Sequence, residues 1–260
     1  MKDVEKCLEI LSNPLRPNSL DYISMIFSDF LELHGDRLFG DDESMLTGIG
    51  LLDEIPVTII GQMRGRNLQE NIKYHYSMNY PEGYRKSLRI MKQAEKFKRP
   101  IVCFVDTKGA FPGDFAEERG QSNAIAMNLK EMFNIKVPII SILIGFGGSG
   151  GALALCIADE IIILENAMFS VISPGACANI LWKDSKRSLE AAEMLKITSY
   201  DLKRFNVVDK IVEEPDEGAH ANSKKMILKV KSVIKSSLEN QLKISENFRI
   251  TQRYNRFRNF

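Results

Sequence analysis

The sequence predicts an α/β protein, and two observations carry that prediction. Apolar runs typical of strands alternate with helical patterns from residue 101 onward, which is typical of a mostly parallel sheet covered by helices. Two of these runs, ending near residues 106 and 145, are each followed at once by a loop that contains glycines. Ligands bind at the carboxyl ends of parallel strands in such folds. We therefore expect the two loops to face one site.

Residues 1–46 are predicted to form a helical segment and a loop. The segment that opens at Ser19 has apolar residues at helical spacing, namely Ile23, Ile26, Phe27, Phe30 and Leu31. The loop LHGDRLFGDD that follows carries five side chains that could suggest a metal or acid–base cluster: His34, Asp36, Arg37, Asp41 and Asp42. Because it lacks a second histidine and a repeated ligand spacing, we interpret it as a solvated, hydrogen-bonded loop.

Strands are predicted at 47–53 and 56–62, followed by an amphipathic helix at 82–97. The apolar face of this helix contains Tyr84, Leu88, Met91 and Ala94. Basic side chains are dense in this part of the chain: Arg64, Arg66, Lys73, Arg85, Lys86 and Arg89. We interpret them as a solvated face, with a local phosphate-recognition patch as the alternative.

The remaining chain is predicted as alternating strands and helices. The strand 101–106 leads into DTKGAFPG and a helix over 116–133, and a strand, a tight turn and a buried helix occupy 137–159. Strands at 160–164, 168–172 and 207–212, helices at 189–196 and 200–205, and a long helix from about 222 complete the prediction. We divide the chain into an N-terminal segment (1–46), a core (47–215) and a C-terminal helix (216–260).

The most informative stretch is VPIISILIGFGGSGGALALCIAD at 137–159, which has five glycines in seven positions: Gly145, Gly147, Gly148, Gly150 and Gly151. Glycine removes side chains where a helix N-terminus exposes N–H groups that lack intrahelical acceptors. Such a place suits an anion or a developing oxyanion. A glycine turn that serves only close packing remains the structural alternative.

Two other motifs also fit this stretch. The pattern G-x-G-x-x-G with Glu165 downstream suggests a dinucleotide site, but the helix after it is apolar all round and several strands precede it. The pattern G-x-S-x-G around Ser149 suggests a hydrolase, with His220 and either Asp201 or Asp209 as partners. A serine among glycines is weak evidence on its own. We favour a backbone oxyanion hole, because it needs only small residues, helix N-terminal donors and a second glycine loop.

Composition limits the classes of partner. Lys and Arg total 35 against 34 acids, so the net charge gives no indication that the protein binds nucleic acid. The N-terminus does not resemble a signal peptide, and no apolar run reaches the roughly 18 residues of a membrane span. The four cysteines, Cys7, Cys103, Cys156 and Cys177, suggest neither a disulfide framework nor a zinc site. We expect a cytoplasmic protein with reduced thiols that binds neither nucleic acid nor membrane.

Several motifs in order resemble one family. GDRLFGDD, PEGYRKSLRIMKQAEKF, DTKGAFPG, AEERGQS, GFGGSGGALAL, SVISPGACANILWKD and PDEGAH are similar to the successive signatures of the α subunit of the carboxyltransferase of bacterial acetyl-CoA carboxylase. The resemblance covers residues 14–220. It implies a crotonase-like (ClpP/crotonase) fold, a spiral of ββα units with N-terminal and C-terminal helices.

The resemblance also implies a reaction and partners. Members of the family transfer carboxylate from carboxybiotin, carried on a separate biotin carboxyl carrier protein, to acetyl-CoA, giving malonyl-CoA for fatty acid biosynthesis. They require a zinc-ribbon β subunit in an α2β2 assembly, so the cofactor expected is biotin and no metal is expected in this chain. The site residues implied are the backbone amides of Gly151 and Ala152 as the oxyanion hole, Gly147, Gly148 and Gly150 as glycines that shape it, Gly109 and Ala110 as the facing wall, and Arg85 and Arg89 toward the acyl-CoA.

Three positions depart from the family's pattern. Phe146 and Gly175 each stand where an acid is usual, and Glu217 replaces a glycine. The chain is therefore interpreted either as an ordinary α subunit, with Phe146 as a packing substitution, or as a diverged paralogue acting on another acyl thioester or carrier-bound acyl group. A stand-alone crotonase-fold hydrolase, isomerase or decarboxylase and a non-catalytic assembly subunit are the further alternatives.

Overall fold

The computed structural model describes residues 3–260 and is built around one large, mostly parallel sheet. The strands of the chain are β1 (Ser28–Glu32), β2 (Met45–Leu52), β3 (Ile55–Gln62), β4 (Met78–Asn79), β5 (Ile101–Thr107), β6 (Gly109–Ala110), β7 (Ile139–Gly148), β8 (Glu160–Leu164), β9 (Met168–Ser170) and β10 (Lys210–Val212). β4 and β6 pair with each other in a separate two-stranded sheet, and the other strands form the large one. The α-helices are α1 (Val4–Ser12), α2 (Ser19–Ile26), α3 (Leu68–Lys73), α4 (Pro81–Lys96), α5 (Asp114–Glu118), α6 (Gln121–Met132), α7 (Ser149–Leu153), α8 (Pro174–Trp182), α9 (Ser188–Leu195), α10 (Ser199–Arg204), α11 (Ser223–Leu242) and α12 (Glu246–Arg258).

The order of strands places the two glycine loops side by side. The sheet runs β1-β2-β3-β5-β7-β8-β10, and β9 pairs with β7. β1, β2 and β3 are antiparallel, whereas β3, β5, β7, β8 and β10 are parallel neighbours. Parallel strands end at the same edge, and Thr107 of β5 pairs there with Gly147 of β7. The predicted meeting of the two loops is confirmed.

The core lies on the middle strands. Every residue of β5 and of β8 is buried, as is β7 up to Gly145. Runs such as IVCFV and IISILI are apolar without alternation because a parallel sheet is covered on both faces. Each fully buried aliphatic side chain stabilises the fold by about 1.5–3 kcal/mol relative to an exposed one. Within residues 3–260, no helix is long and apolar enough to cross a membrane.

The helical prediction for the N-terminal segment is wrong at Ser28–Glu32. Phe27 is extended and ends α2, and the next residues form the edge strand β1, antiparallel to β2. Leu31 continued the helical spacing, but its side chain is half exposed. An edge strand has one neighbour, so its apolar pattern is weak and easily mistaken for the end of a helix. The boundary at residue 46 stays a prediction, although β1 pairs with the core sheet.

Two further predicted helices are each interrupted. The predicted helix at 116–133 is split into α5 and α6, because Gly120 adopts a left-handed conformation with φ 83°, which ends a helix at little steric cost. The predicted long C-terminal helix is also two helices, α11 and α12. Arg253 of α12 is buried and forms an ion pair with Asp159 at 2.7 Å, which fixes this second helix against the core.

A buried ion pair anchors the N-terminal segment beside the glycine stretch. Arg16 donates through both terminal nitrogens to the carboxylate of Glu214, each at 2.6 Å, and through Nε to the carbonyl of Ile144 at 3.1 Å. Both side chains are wholly buried. Burial works to raise the pKa of Glu214, but the hydrogen bonds and charge of Arg16 outweigh it and lower that pKa.

Candidate active site

The glycine turn is tighter than the sequence predicts. β7 runs on through Gly148, and α7 begins at once with Ser149, whose φ is 42°. Gly145, Gly147 and Gly148 therefore lie in the strand and not in a turn, which corrects the prediction. A Cβ at Gly148 would lie 2.3 Å from the carbonyl oxygen of Lys108, so a side chain here would separate the two loops.

The second glycine loop is fixed directly against the first. Thr107 accepts a hydrogen bond from the amide of Gly109 at 3.0 Å, and its hydroxyl is 2.6 Å from the carbonyl of Ser77. A Cβ at Gly151 would lie 2.8 Å from both the amide nitrogen of Ala110 and the carbonyl carbon of Gly109. The predicted facing wall thus lies in van der Waals contact with the first turn of α7.

A network of buried polar side chains bonds to the glycine turn. Sequence patterns did not predict it. Gln62 donates through Nε2 to the carbonyl of Gly151 at 2.9 Å and to Asn79 Oδ1 at 2.8 Å. Asn79 in turn donates to the carbonyl of Ser44, and Gln121 donates to the carbonyl of Asn79, both at 2.8 Å. These side chains are buried. They hold α7 at a fixed distance from β3 and β4, so the turn is preorganised.

A cavity of about 230 Å³ opens at this turn, and we call it the turn cavity. Its wall combines the two glycine loops, the segment before α8, and residues from α1 and the loop before α10. The lining residues are Leu8, Thr107, Lys108, Phe146, Gly147, Gly148, Ser149, Met168, Ser170, Ile172, Ser173, Pro174 and Ile197. None of these is an aspartate, a glutamate or a histidine. The cavity therefore offers apolar contacts, backbone groups, the hydroxyl residues Thr107, Ser149, Ser170 and Ser173, and one lysine, with no carboxylate or imidazole base among these residues.

The donors predicted in α7 are placed at the start of this helix. Gly151 and Ala152 are buried residues in its first turn. Gly151 is the third helical residue, so its N–H lacks an intrahelical acceptor and carries a partial positive charge, whereas Ala152 is the fourth and its N–H is positioned to donate to the carbonyl of the N-cap residue Gly148. Neither residue is among those that line the turn cavity. Gly150 precedes them and a Cβ there would find its nearest neighbour, Ile125, at 3.7 Å. The use of these amides as an oxyanion hole stays a prediction.

The two unusual positions of the site differ in their packing. Phe146 packs on the small cluster that joins α1 to β9, together with Cys7, Leu11 and Met168, and its amide donates to Asp106 at 2.9 Å. This packing supports the interpretation of Phe146 as a packing substitution. Gly175 has no atom within 4 Å of a Cβ, so nothing in its surroundings requires glycine.

The structure separates the two residues of the hydrolase interpretation. Ser149 lines the turn cavity, whereas His220 lines a different cavity with Lys6, Glu9 and Asn13. The Nε2 of His220 lies 3.0 Å from the side-chain nitrogen of Asn13. Ser149 therefore has no histidine beside it. Among residues 3–260, no group of three or more His, Cys, Asp and Glu is arranged to hold a metal ion.

Comparison with known proteins decides the family. A model of the family described as "Acetyl co-enzyme A carboxylase carboxyltransferase-like" matches residues 2–260. The chain belongs to this family. It is 54% identical over 252 residues to the acetyl-coenzyme A carboxylase carboxyl transferase subunit alpha of Clostridium perfringens (strain SM101 / Type A), covering 97% of this chain and 93% of that one. The namesake from Geobacillus sp. (strain WCH70) is 53% identical, covering 96% of this chain and 77% of that one.

Solved structures confirm the fold of this carboxyltransferase family member. The chain superposes on a transcarboxylase 12S structure with bound methylmalonyl-coenzyme A with a TM-score of 0.70 at 19% identity, covering 92% of this chain and 44% of that one. A Pseudomonas malonate decarboxylase hetero-tetramer in complex with coenzyme A gives 0.66 at 17% identity, with 83% and 86% covered. The expected α/β, crotonase-like fold is confirmed, and the chain spans less than half of the transcarboxylase chain.

Three of the six dense basic residues of this carboxyltransferase chain, Arg85, Lys86 and Arg89, bind the loop 34–42. The guanidinium of Arg85 contacts Asp36, Glu82 and the carbonyl of Arg119 at 2.7–3.0 Å, and Arg89 donates to two carbonyls of the loop. Lys86 is fully buried and contacts Asp41 at 2.5 Å. The expectation of a solvated face is therefore wrong for Lys86 and for Arg64, which is also buried. The roles of Arg85 and Arg89 toward acyl-CoA stay a prediction.

The acidic loop itself is hydrogen-bonded as expected, but its charges are not all solvated. Asp36 accepts hydrogen bonds from the amides of Leu38, Phe39 and Gly40, and Asp42 is buried. Burial works to raise the pKa of Asp36, but these amides and Arg85 outweigh it, so the pKa lies below its ordinary value. The loop is thus a structural element held against α4 by Arg85, Lys86 and Arg89.

Proposed function

We propose that the chain is the α subunit of a biotin-dependent carboxyltransferase that forms malonyl-CoA from acetyl-CoA. The observation that carries the proposal, beside family membership, is the contact between the two glycine loops at a cavity whose lining residues include no carboxylate or imidazole base. A zinc-ribbon β subunit completes the active site in an α2β2 assembly, and a biotin carboxyl carrier protein delivers the carboxyl group.

The residues of the turn cavity fit the carboxylated ring of biotin. The ring system is apolar at its sulfur-containing edge and carries a ureido oxygen that only accepts hydrogen bonds. The cavity matches this with a mainly apolar wall and with the backbone of Gly147, Gly148 and Ser149, and none of its lining residues is an acid that would repel a carboxylate. Bound carboxybiotin supplies the carboxyl group as CO2 and a ureido nitrogen that takes the proton from the acetyl methyl carbon, which then bonds to CO2.

The chain's own residues act on the charge that develops in this exchange. The amides of Gly151 and Ala152 donate to the ureido oxygen as negative charge grows on it, and removing one such donor in other enzymes costs about 10²–10³ in rate. Gly147, Gly148 and Gly150 let the oxygen approach the backbone, and Gly109 and Ala110 close the opposite wall. The polar network of Gln62 and Asn79 keeps the donors oriented.

The test is reconstitution from purified parts. The chain is produced alone and together with the zinc-ribbon subunit encoded in its own genome, and each preparation receives carboxylated carrier protein and acetyl-CoA. We expect malonyl-CoA only from the complex, and an α2β2 mass by light scattering. Full turnover by the isolated chain would overturn the proposal. Turnover by the complex with another acyl thioester, and none with acetyl-CoA, would favour the diverged paralogue.

A further inference from the structure

Lys108 lies between two cavities. The turn cavity is one of them. The other, which we call the arginine cavity, has a volume of about 340 Å³ and is lined by Ser12, Pro14, Arg64, Gly65, Arg66, Asn71, Ser77, Lys108 and Phe146. Lys108 and Phe146 line both. The lysine therefore stands where a group leaving the glycine turn would pass into the wider, more polar space.

The charged side chains that line the two cavities are all positive. Three cations line them and no acid does. Arg66 is paired with Asp21 at 2.6 Å, and Arg64 lies 3.5 Å from Asp106. Lys108 differs, because its side chain is exposed and its ammonium has neither a hydrogen bond nor an ion pair with any described residue from 3 to 260. Its charge is the one available to a ligand.

The backbone of Lys108 is fixed although its side chain is not. Its amide donates to the carbonyl of Ser77 at 3.0 Å, and Gly148 packs against its carbonyl on the other side. The preceding Thr107 is buried and pairs with Gly147 in the sheet. The flexible stem of the lysine thus starts from a defined point beside the glycine turn, so the ammonium has a limited range that includes the mouth of the turn cavity.

We propose that Lys108 binds the carboxylate that is in transit, both on the donor and on the malonyl product, and so favours carboxylated ligands over uncarboxylated ones. The inference rests on the proposed function. An ammonium is a point charge that suits a carboxylate wherever it moves within a small region. Because the turn cavity is apolar and lacks acids, this charge is weakly opposed there, and acetyl-CoA, which has no carboxylate, gains nothing from it.

The test compares two probes that differ only by the carboxylate. Dissociation constants of malonyl-CoA and acetyl-CoA are measured by calorimetry on the complex with the β subunit, for wild type, Lys108→Met and Lys108→Arg. Lys224→Met is the matched control, because Lys224 is exposed and lines neither cavity. We expect Lys108→Met to raise the dissociation constant of malonyl-CoA about 10- to 100-fold, as for the loss of a hydrogen bond to a charged group. The dissociation constant of acetyl-CoA should not change, and Lys108→Arg should restore most of the affinity for malonyl-CoA.

Each other outcome overturns the inference in a distinct way. Equal weakening of both probes assigns Lys108 to a phosphate of coenzyme A. No change in either probe means that the lysine contacts no part of the ligand, and loss of the β subunit from the complex assigns it to the interface. If the wild-type complex makes malonyl-CoA and Lys108→Met binds malonyl-CoA with wild-type affinity, only the inference about Lys108 is overturned. If the wild-type complex does not transfer the carboxyl group, the proposed function and this inference are both overturned.

Discussion

Two regions of the molecule differ in whether their charged groups have partners within the protein. The loop 34–42 with α4 is dense in charges, and several of them pair with one another, as Arg85 does with Asp36 and Lys86 with Asp41. The glycine turn with its cavity has one exposed lysine as its only charged lining residue among residues 3–260, beside apolar, hydroxyl and backbone groups. Charges that satisfy each other stabilise a fold and leave little for a ligand. A site that must respond to charge on a substrate keeps its own donors uncommitted.

The comparison predicts that charged pairs in the body affect stability and not chemistry, and Arg16 should show the largest such effect. Arg16→Ala leaves Glu214 buried without its partner, which costs about 3–5 kcal/mol and lowers Tm by about 6–20 °C. Thermal unfolding followed by circular dichroism measures this. Lys229→Ala, which removes an exposed ion pair with Glu213, is the control and should leave Tm unchanged. Equal Tm values for the two variants would contradict the role of Arg16.

The reverse is expected at the glycine turn. Gly151→Ala introduces a Cβ within 2.8 Å of the 109–110 backbone, so the two loops must separate and the donors shift. We expect carboxyl transfer by the complex to fall about 10²–10³-fold, measured as malonyl-CoA formed, while the chain still folds and binds its partner. Gly175→Ala is the matched control, because its Cβ enters open space, and it should retain activity. Full activity in Gly151→Ala would refute the assignment.

A smaller effect is expected in the charged region. Lys86→Met removes the ammonium that contacts Asp41 and the carbonyl of Asp42, and we expect a loss of about 1–3 kcal/mol in the free energy of unfolding. Urea titration measures this loss. The control is Lys92→Met, which removes an exposed ion pair, and its free energy of unfolding should stay within about 0.5 kcal/mol of the wild-type value. The KM for acetyl-CoA should not change. A raised KM with unchanged stability would show that this region binds substrate.

The smallest expected effect is a dependence on acid pH. Burial works to raise the pKa of Asp41, but the hydrogen bonds of Lys86 and of the Gly35 amide lower it from 3.8 to about 2. A carboxyl with a lowered folded-state pKa stabilises the fold above its unfolded pKa, and that stabilisation is lost as pH falls through the folded one. The free energy of unfolding should therefore decline between pH 4 and about 2, and less steeply in Lys86→Met. Parallel declines in both proteins would contradict this.

Sequence patterns predicted the parts of the site that are local in the chain. The apolar run before Gly145 and the glycines after it define β7 and the start of α7, and the same logic located the loop at Gly109. The supporting network was not predictable, because Gln62 is 17 residues from Asn79 and 89 from Gly151 and no periodicity links them. The burial of Lys86 was missed for the same reason, since its partner Asp41 lies 45 residues away.

The proposed oxyanion hole joins the ureido oxygen of biotin to the backbone amides of Gly151 and Ala152. The most direct measurement is a structure of the complex with the β subunit and bound biotin. We expect the ureido oxygen to lie about 2.7–3.1 Å from the amide nitrogens of Gly151 and Ala152. A biotin ring bound elsewhere, with these two amides bonded only to protein, would contradict it.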